Sequence, residues 1–169
     1  MLTPELSILG SVAAQRLLVM RSGQHPVGDL VRERRGAVVR ARWGDHHWSF
    51  VRTGMTRSKV LLRHDASDSH VGWFFPSAGG GRLVLADHRL DLAAGHRGSV
   101  SLNDRSGQAL VTLSLPRRLF APWASVRIAP ALAGTDPAPL AALFLTYLQW
   151  QRGADVRSAE DDYARRLAG

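Results

Sequence analysis

At 169 residues, 45% of them apolar, the chain has the size and hydrophobic share of one ordinary domain with a continuous core. It contains no cysteine, which excludes disulfide scaffolds, thiolate zinc sites, iron–sulfur ligation and cysteine nucleophiles together. The formal charge of +8 rests almost wholly on arginine, Lys59 being the only lysine, and the excess sits mid-chain: residues 36–135 hold 13 basic groups against six acidic, residues 136–169 four against five. Such an excess either attracts phosphates or merely keeps the surface soluble.

Thr3-Pro4-Glu5 combines a hydroxyl cap, proline at the first helical position and an acid near the positive helix pole, which predicts a helix running to about Val19. The first 20 residues lack a basic start and a small-residue cleavage pattern, so they read as a retained segment. Gly23 and Pro26 mark a loop, and Asp29 to Arg35 forms a charged lead-in.

From Gly36 to Pro130 the apolar period is two. Val39, Ala41 and Trp43 alternate with Arg40 and Arg42, and the alternation returns at Trp48 and Phe50, at Val60 and Leu62, and at Val71, Trp73 and Phe75. Leu83 and Leu85 face Leu90 and Leu92 across a turn at Asp87-His88. Val100 and Leu102 lead into Asn103 to Gly107, where Gly107 supplies the left-handed position of a bulged hairpin, and Ala109 to Leu115 alternates again. A last strand covers Trp123 to Ile128. About nine short strands with frequent turns predict an antiparallel sandwich or barrel, with Arg40, Arg42, Arg63, Arg82 and Arg127 on the polar face.

Asp136 and Pro137 open a helix that is apolar on every side as far as Trp150, and Gly153 is placed to end it. A helix with no polar face in a soluble chain is buried on all sides. Its span from residue 137 to 151 is about 22 Å, the height of a small barrel, and well below the roughly 20 apolar residues of a membrane span. The fold class that follows is mainly β: an antiparallel β-barrel of short strands wrapped around a buried C-terminal hydrophobic helix. An additional N-terminal helix covers residues 1–35 with the basic lead-in, the barrel covers 36–151, and a short amphipathic C-terminal helix covers 152–169.

This pattern resembles the tubby C-terminal-like superfamily, and within it the LURP-one-related proteins and the scramblase-like bacterial proteins. The resemblance is carried by Trp48-Ser49-Phe50, the hairpin from Gly81 to Leu92, the turn from Leu102 to Gly107, the Pro122-Trp123 approach to a strand, and the helix from Asp136-Pro137 to Trp150. It implies a closed antiparallel barrel around a hydrophobic helix. Some members bind phosphoinositides through basic residues on the barrel surface, but no motif here places those residues, and none is carried over.

Chemistry-bearing residues are scattered. His46, His47, His64, His70 and His88 stand beside turns without the i, i+4 spacing of a ligand pair, and no His-Glu zinc motif occurs, so no metal and no cofactor are expected. The serines at 67, 69, 99, 101 and 106 lie outside any nucleophile elbow. Gly79-Gly80-Gly81 lacks the helix and lysine of a phosphate loop. Trp48, Phe50, Trp73 and Phe75 read as core rather than as stacking platforms.

The best local anion site is Arg32, Arg34 and Arg35 with Arg40 and Arg42. A cyclic-dinucleotide barrel of the PilZ type is set aside, because Ser67-Asp68-Ser69-His70-Val71-Gly72 departs from Asp-x-Ser-x-x-Gly at its first position. The expectation is a non-catalytic binding or scaffold module for an anionic lipid headgroup or a protein partner, cytoplasmic and at most membrane-peripheral. The alternative is a nucleic-acid-associated protein using the same arginines on phosphates. No residue pattern specifies an oligomeric state.

Overall fold

A computed structural model describes residues 5–10, 13–21, 25–33, 37–54, 59–115 and 123–168. Among these residues twelve strands precede one α-helix: β1 (Glu5–Leu9), β2 (Arg16–Arg21), β3 (His25–Arg32), β4 (Val38–Trp43), β5 (His46–Thr53), β6 (Lys59–His64), β7 (Ser69–Ser77), β8 (Gly80–Leu85), β9 (His88–Ala94), β10 (Val100–Asn103), β11 (Ala109–Ser114), β12 (Ala124–Ile128) and α1 (Pro137–Ala168). Each strand pairs antiparallel with its neighbours in sequence, and β1 pairs with β12 to close the barrel. Closure leaves no free edge for another chain to extend.

The period of two sends one side of every strand inward: Leu6 and Ile8, Leu17 and Val19, Val39 and Ala41, Trp48 and Phe50, and so on round to Val126 and Ile128, all buried. They enclose the first half of α1, buried without a break from Leu140 to Tyr147 and again at Trp150. Phe144 is the hub, with ring centroids 5.5 Å from Phe50, 5.3 Å from Phe74 and 5.6 Å from Tyr147 in tilted or edge-on arrangements that aromatic quadrupoles favour. Thr146, the buried polar residue of this stretch, donates to the Ala142 carbonyl at 2.8 Å and so carries no unpaired hydroxyl into the core.

The expected N-terminal helix does not exist. Glu5–Leu9 and Arg16–Arg21 are strands, and the barrel therefore begins at Glu5 rather than at residue 36. The cap-like Thr3-Pro4-Glu5 outweighed a period-two pattern, Leu6 and Ile8 then Leu17 and Val19, that buries both strands and closes the sheet. The separate C-terminal helix is also corrected: α1 runs unbroken from Pro137 to Ala168, through Gly153. An interior glycine costs a helix only about 1 kcal/mol, and no proline follows to stop the chain.

A third correction is a one-residue slip in β7. A bulge between β6 and β7, where Leu62 pairs Gly72 but Arg63 pairs His70, leaves Val71 as the extra residue. Gly72 and Phe74 therefore face inward, and Trp73 and Phe75 face out, Phe75 with the Lys59 ammonium 5.3 Å from its ring centroid. Gly81 on β8 shows why Phe74 is the inward ring: a Cβ there would collide with it, so the phenyl covers the bare glycine backbone. The β8–β9 turn is Ala86-Asp87, one residue earlier than expected, with Ala86 in the left-handed region at φ 47°. Gly107 does hold the left-handed position of its hairpin, at φ 84°.

Candidate functional site

The antiparallel order divides the barrel into two ends. The mouth carries the β4–β5, β6–β7 and β8–β9 turns, the ends of β2 and β12, and the start of α1. The far end carries the β3–β4 and β7–β8 connections and the place where α1 leaves the barrel beside Arg32.

The sequence-nominated arginines do not converge. Arg32, at the end of β3, turns to the helix: its guanidinium lies 3.8 Å from the Trp150 ring centroid and donates to the Trp150 carbonyl at 3.0 Å. Burial lowers its pKa from the ordinary guanidinium value, opposed by the charge of Asp155. It is a clamp on the exiting helix. Arg40 stands on the outer wall between Glu33 at 2.8 Å and Asp65 at 3.0 Å. Arg42 shares Asp29 with Arg16, a carboxylate 7% exposed whose pKa is lowered: burial pushes it up, and the two guanidiniums outweigh that. Arg34 and Arg35 lie outside the described residues. Arg63 and Arg82 are likewise occupied, by Asp68 and Asp91.

Besides Arg152 on α1, four arginines not nominated as an anion site have no acidic partner within ion-pair distance among the described residues: Arg21, Arg89, Arg105 and Arg127. Each stands near the mouth, on the arc from β9 through β12 to β2. They are spread over four elements with no spacing that marks them as a set. The signal that could have found them is negative: none has an acid directly opposite in a register like Arg82↔Asp91 or Arg42↔Asp29, except Arg127 against Glu5.

The mouth itself is hollow. The strands and turns rise past the start of α1, and the connection from Ala129 to Asp136 crosses the opening in tight turns, with Leu132 N–H and Ala133 N–H both donating to the Ala129 carbonyl at 3.0 and 2.9 Å. A cavity of about 770 Å³ remains between them, within the range of small-molecule sites. Trp43, Trp48, Leu6, Leu85, Ile128 and Leu140 give it an apolar floor and walls. Its polar groups are Arg21, His46, His64, Asp87, His88, Thr135 and Asp136.

Trp48 is the organiser of one wall. His46 stacks on it at 5.6 Å with planes 17° apart, and His64 meets it edge-on at 6.3 Å. The helix start shapes the floor. Pro137 and Pro139 have no N–H, and the N–H of Ala138 donates to the Thr135 carbonyl at 3.1 Å, so most of the open donors that make a helix N-terminus an anion cradle are absent.

No family model, curated protein or solved structure matches the chain. Among the described residues no three His, Asp or Glu side chains are grouped to hold a metal ion, and no helix is long and apolar enough to cross a membrane.

Proposed function

We propose that this chain is a non-catalytic binding module, a barrel of the tubby-like or LURP-one-related kind, that takes its ligand at the mouth. The closed twelve-strand barrel around a buried helix supports that kinship. The observation that carries the reading is the cavity: the barrel is packed shut along the helix yet open over about 770 Å³ where the helix begins. Packed interiors hold few voids larger than a water molecule. A hollow of this size with an apolar floor and a polar rim is the form of a ligand site.

The test is titration with 1-hexanol, 1-heptanol and 1-octanol, followed by tryptophan fluorescence, since Trp43 and Trp48 both line the cavity. Affinity is expected to rise about three- to fourfold per methylene. Ala133→Phe, which puts a ring into the space from the crossing connection, is expected to abolish the response while the thermal midpoint holds. Binding that ignores chain length, or that survives in Ala133→Phe, overturns the reading.

A second reading is favoured by the four arginines without acidic partners near the mouth: docking of that end on an anionic lipid surface. Vesicles containing phosphatidylserine should sediment the protein at physiological salt, and Arg89→Ala/Arg105→Ala/Arg127→Ala should release it. Equal retention by duplex DNA of the same charge would turn the reading toward phosphate in general.

A further inference from the structure

We infer that the mouth cavity selects an organic cation, an ammonium or guanidinium group on an apolar body. This rests on the cavity being the ligand site. Two independent features of the lining point the same way.

The first is the balance of fixed charge. Asp87, from the β8–β9 turn, and Asp136, from the approach to α1, both line the cavity, and neither has an ion-pair partner among the described residues. Elsewhere Asp29, Glu33, Asp65, Asp68, Asp91 and Asp155 each hold an arginine, Asp104 is bound by the Ser106 and Gln108 N–H groups, and Glu5 and Asp45 hold no ion pair among the described residues. Against these two carboxylates the lining offers one permanent cation, Arg21, at the end of β2 and half a barrel away from β8–β9. The cavity is thus locally acidic in a chain of net charge +8.

The second is the kind of surface beside them. Trp43 and Trp48 both line the cavity, and indole is the strongest ring partner for a cation. An anion would find the opposite: two prolines without N–H, a third donor already used by Thr135, and aromatic faces that repel negative charge. The helix pole that ordinarily attracts anions here has few open donors and is fronted by Asp136.

The experiment compares octylammonium, 1-octanol and octanoate at neutral pH on the full chain, by calorimetry and tryptophan fluorescence, beside Asp87→Asn/Asp136→Asn. Asparagine serves as helix cap and turn residue as aspartate does, so the variant keeps both local structures. Octylammonium is expected to bind about tenfold more tightly than octanol, octanoate least, and the variant to bring octylammonium to within about twofold of octanol while octanol is unchanged. If octanol binds but octanoate equals or exceeds octylammonium, or the variant leaves the order untouched, the cation preference is overturned and the cavity reading stands. If none of the three binds saturably, the cavity reading fails and the preference with it.

Discussion

The two ends of the barrel are reached by the same alternating strands, yet the helix meets them differently. At the far end the helix leaves through a fitted collar: Arg32 against the face and carbonyl of Trp150, Arg52 3.8 Å from Asp155, and Tyr147 buried beneath them. Arg32 and Arg52 thus both meet the helix as it leaves. At the mouth the helix starts below the rim, and the charges that line the space, Arg21, Asp87 and Asp136, have no ion-pair partner among the described residues. The two arginines of the collar are matched within the chain, whereas the charges lining the mouth are not.

That contrast breaks most directly on two tryptophans. Trp150→Ala should cost about 3–5 kcal/mol, because it empties a fully buried site and strips Arg32 of its stacking partner. Trp43→Ala, half-buried against a space that is already hollow, should cost less than half of that. Denaturant midpoints of the two variants decide it, and equal losses would mean the mouth is as much a packed core as the far end.

A smaller effect sharpens the picture at high pH. Burial pushes the Tyr147 phenol up to about 12, opposed by a hydrogen bond with Gln151 and the charge of Arg52. Its unfolded value is about 10, so the neutral phenol lends stability that is complete below about pH 10 and is lost as pH rises toward 12. Tyr147→Phe should therefore unfold at a higher pH than the parent, by an amount worth at most about 2–3 kcal/mol, and differ from it at neutral pH by only about 1 kcal/mol. Alkaline unfolding curves at fixed temperature give both numbers.

The barrel and its buried helix were legible because each rests on a local rule: period-two burial for strands such as Val39–Ala41, and a helix from Leu140 to Tyr147 with no polar side. The errors came where local rules competed. At Glu5–Leu9 a cap signal and an alternation occupied the same residues, and the need to close β1 onto β12, more than a hundred residues away, decided for the strand. At β7 the larger rings, Trp73 and Phe75, suggested the wrong face, because the bulge at Val71 and the bare backbone of Gly81 both belong to pairing with other strands.

The site was less legible for a related reason. Arg40 and Arg42 looked like a patch in sequence, but Glu33, Asp65 and Asp29 reach them from other strands and the intervening turn, and that neutralisation is visible only in register. The cavity draws Leu6, Trp43, His64, Asp87 and Ile128 from five separate stretches of the chain. Its histidines read in sequence as standing beside turns, and His46, His64 and His88 do begin or end strands there, while Asp136 reads only as opening the helix. What the sequence pattern could not show is that those turns share one rim.

The helix that fills the barrel comes after all twelve strands in the chain. During synthesis the strands leave the ribosome with their inner faces ready and nothing to wrap, and the ring cannot close until β12 returns to β1 and α1 arrives. Pairing over such sequence distance is slow, and apolar strands that wait are prone to stick to one another. The order of the elements thus leaves the ring of strands unfilled until the stretch from Pro137 to Trp150, which commits the fold, has been made.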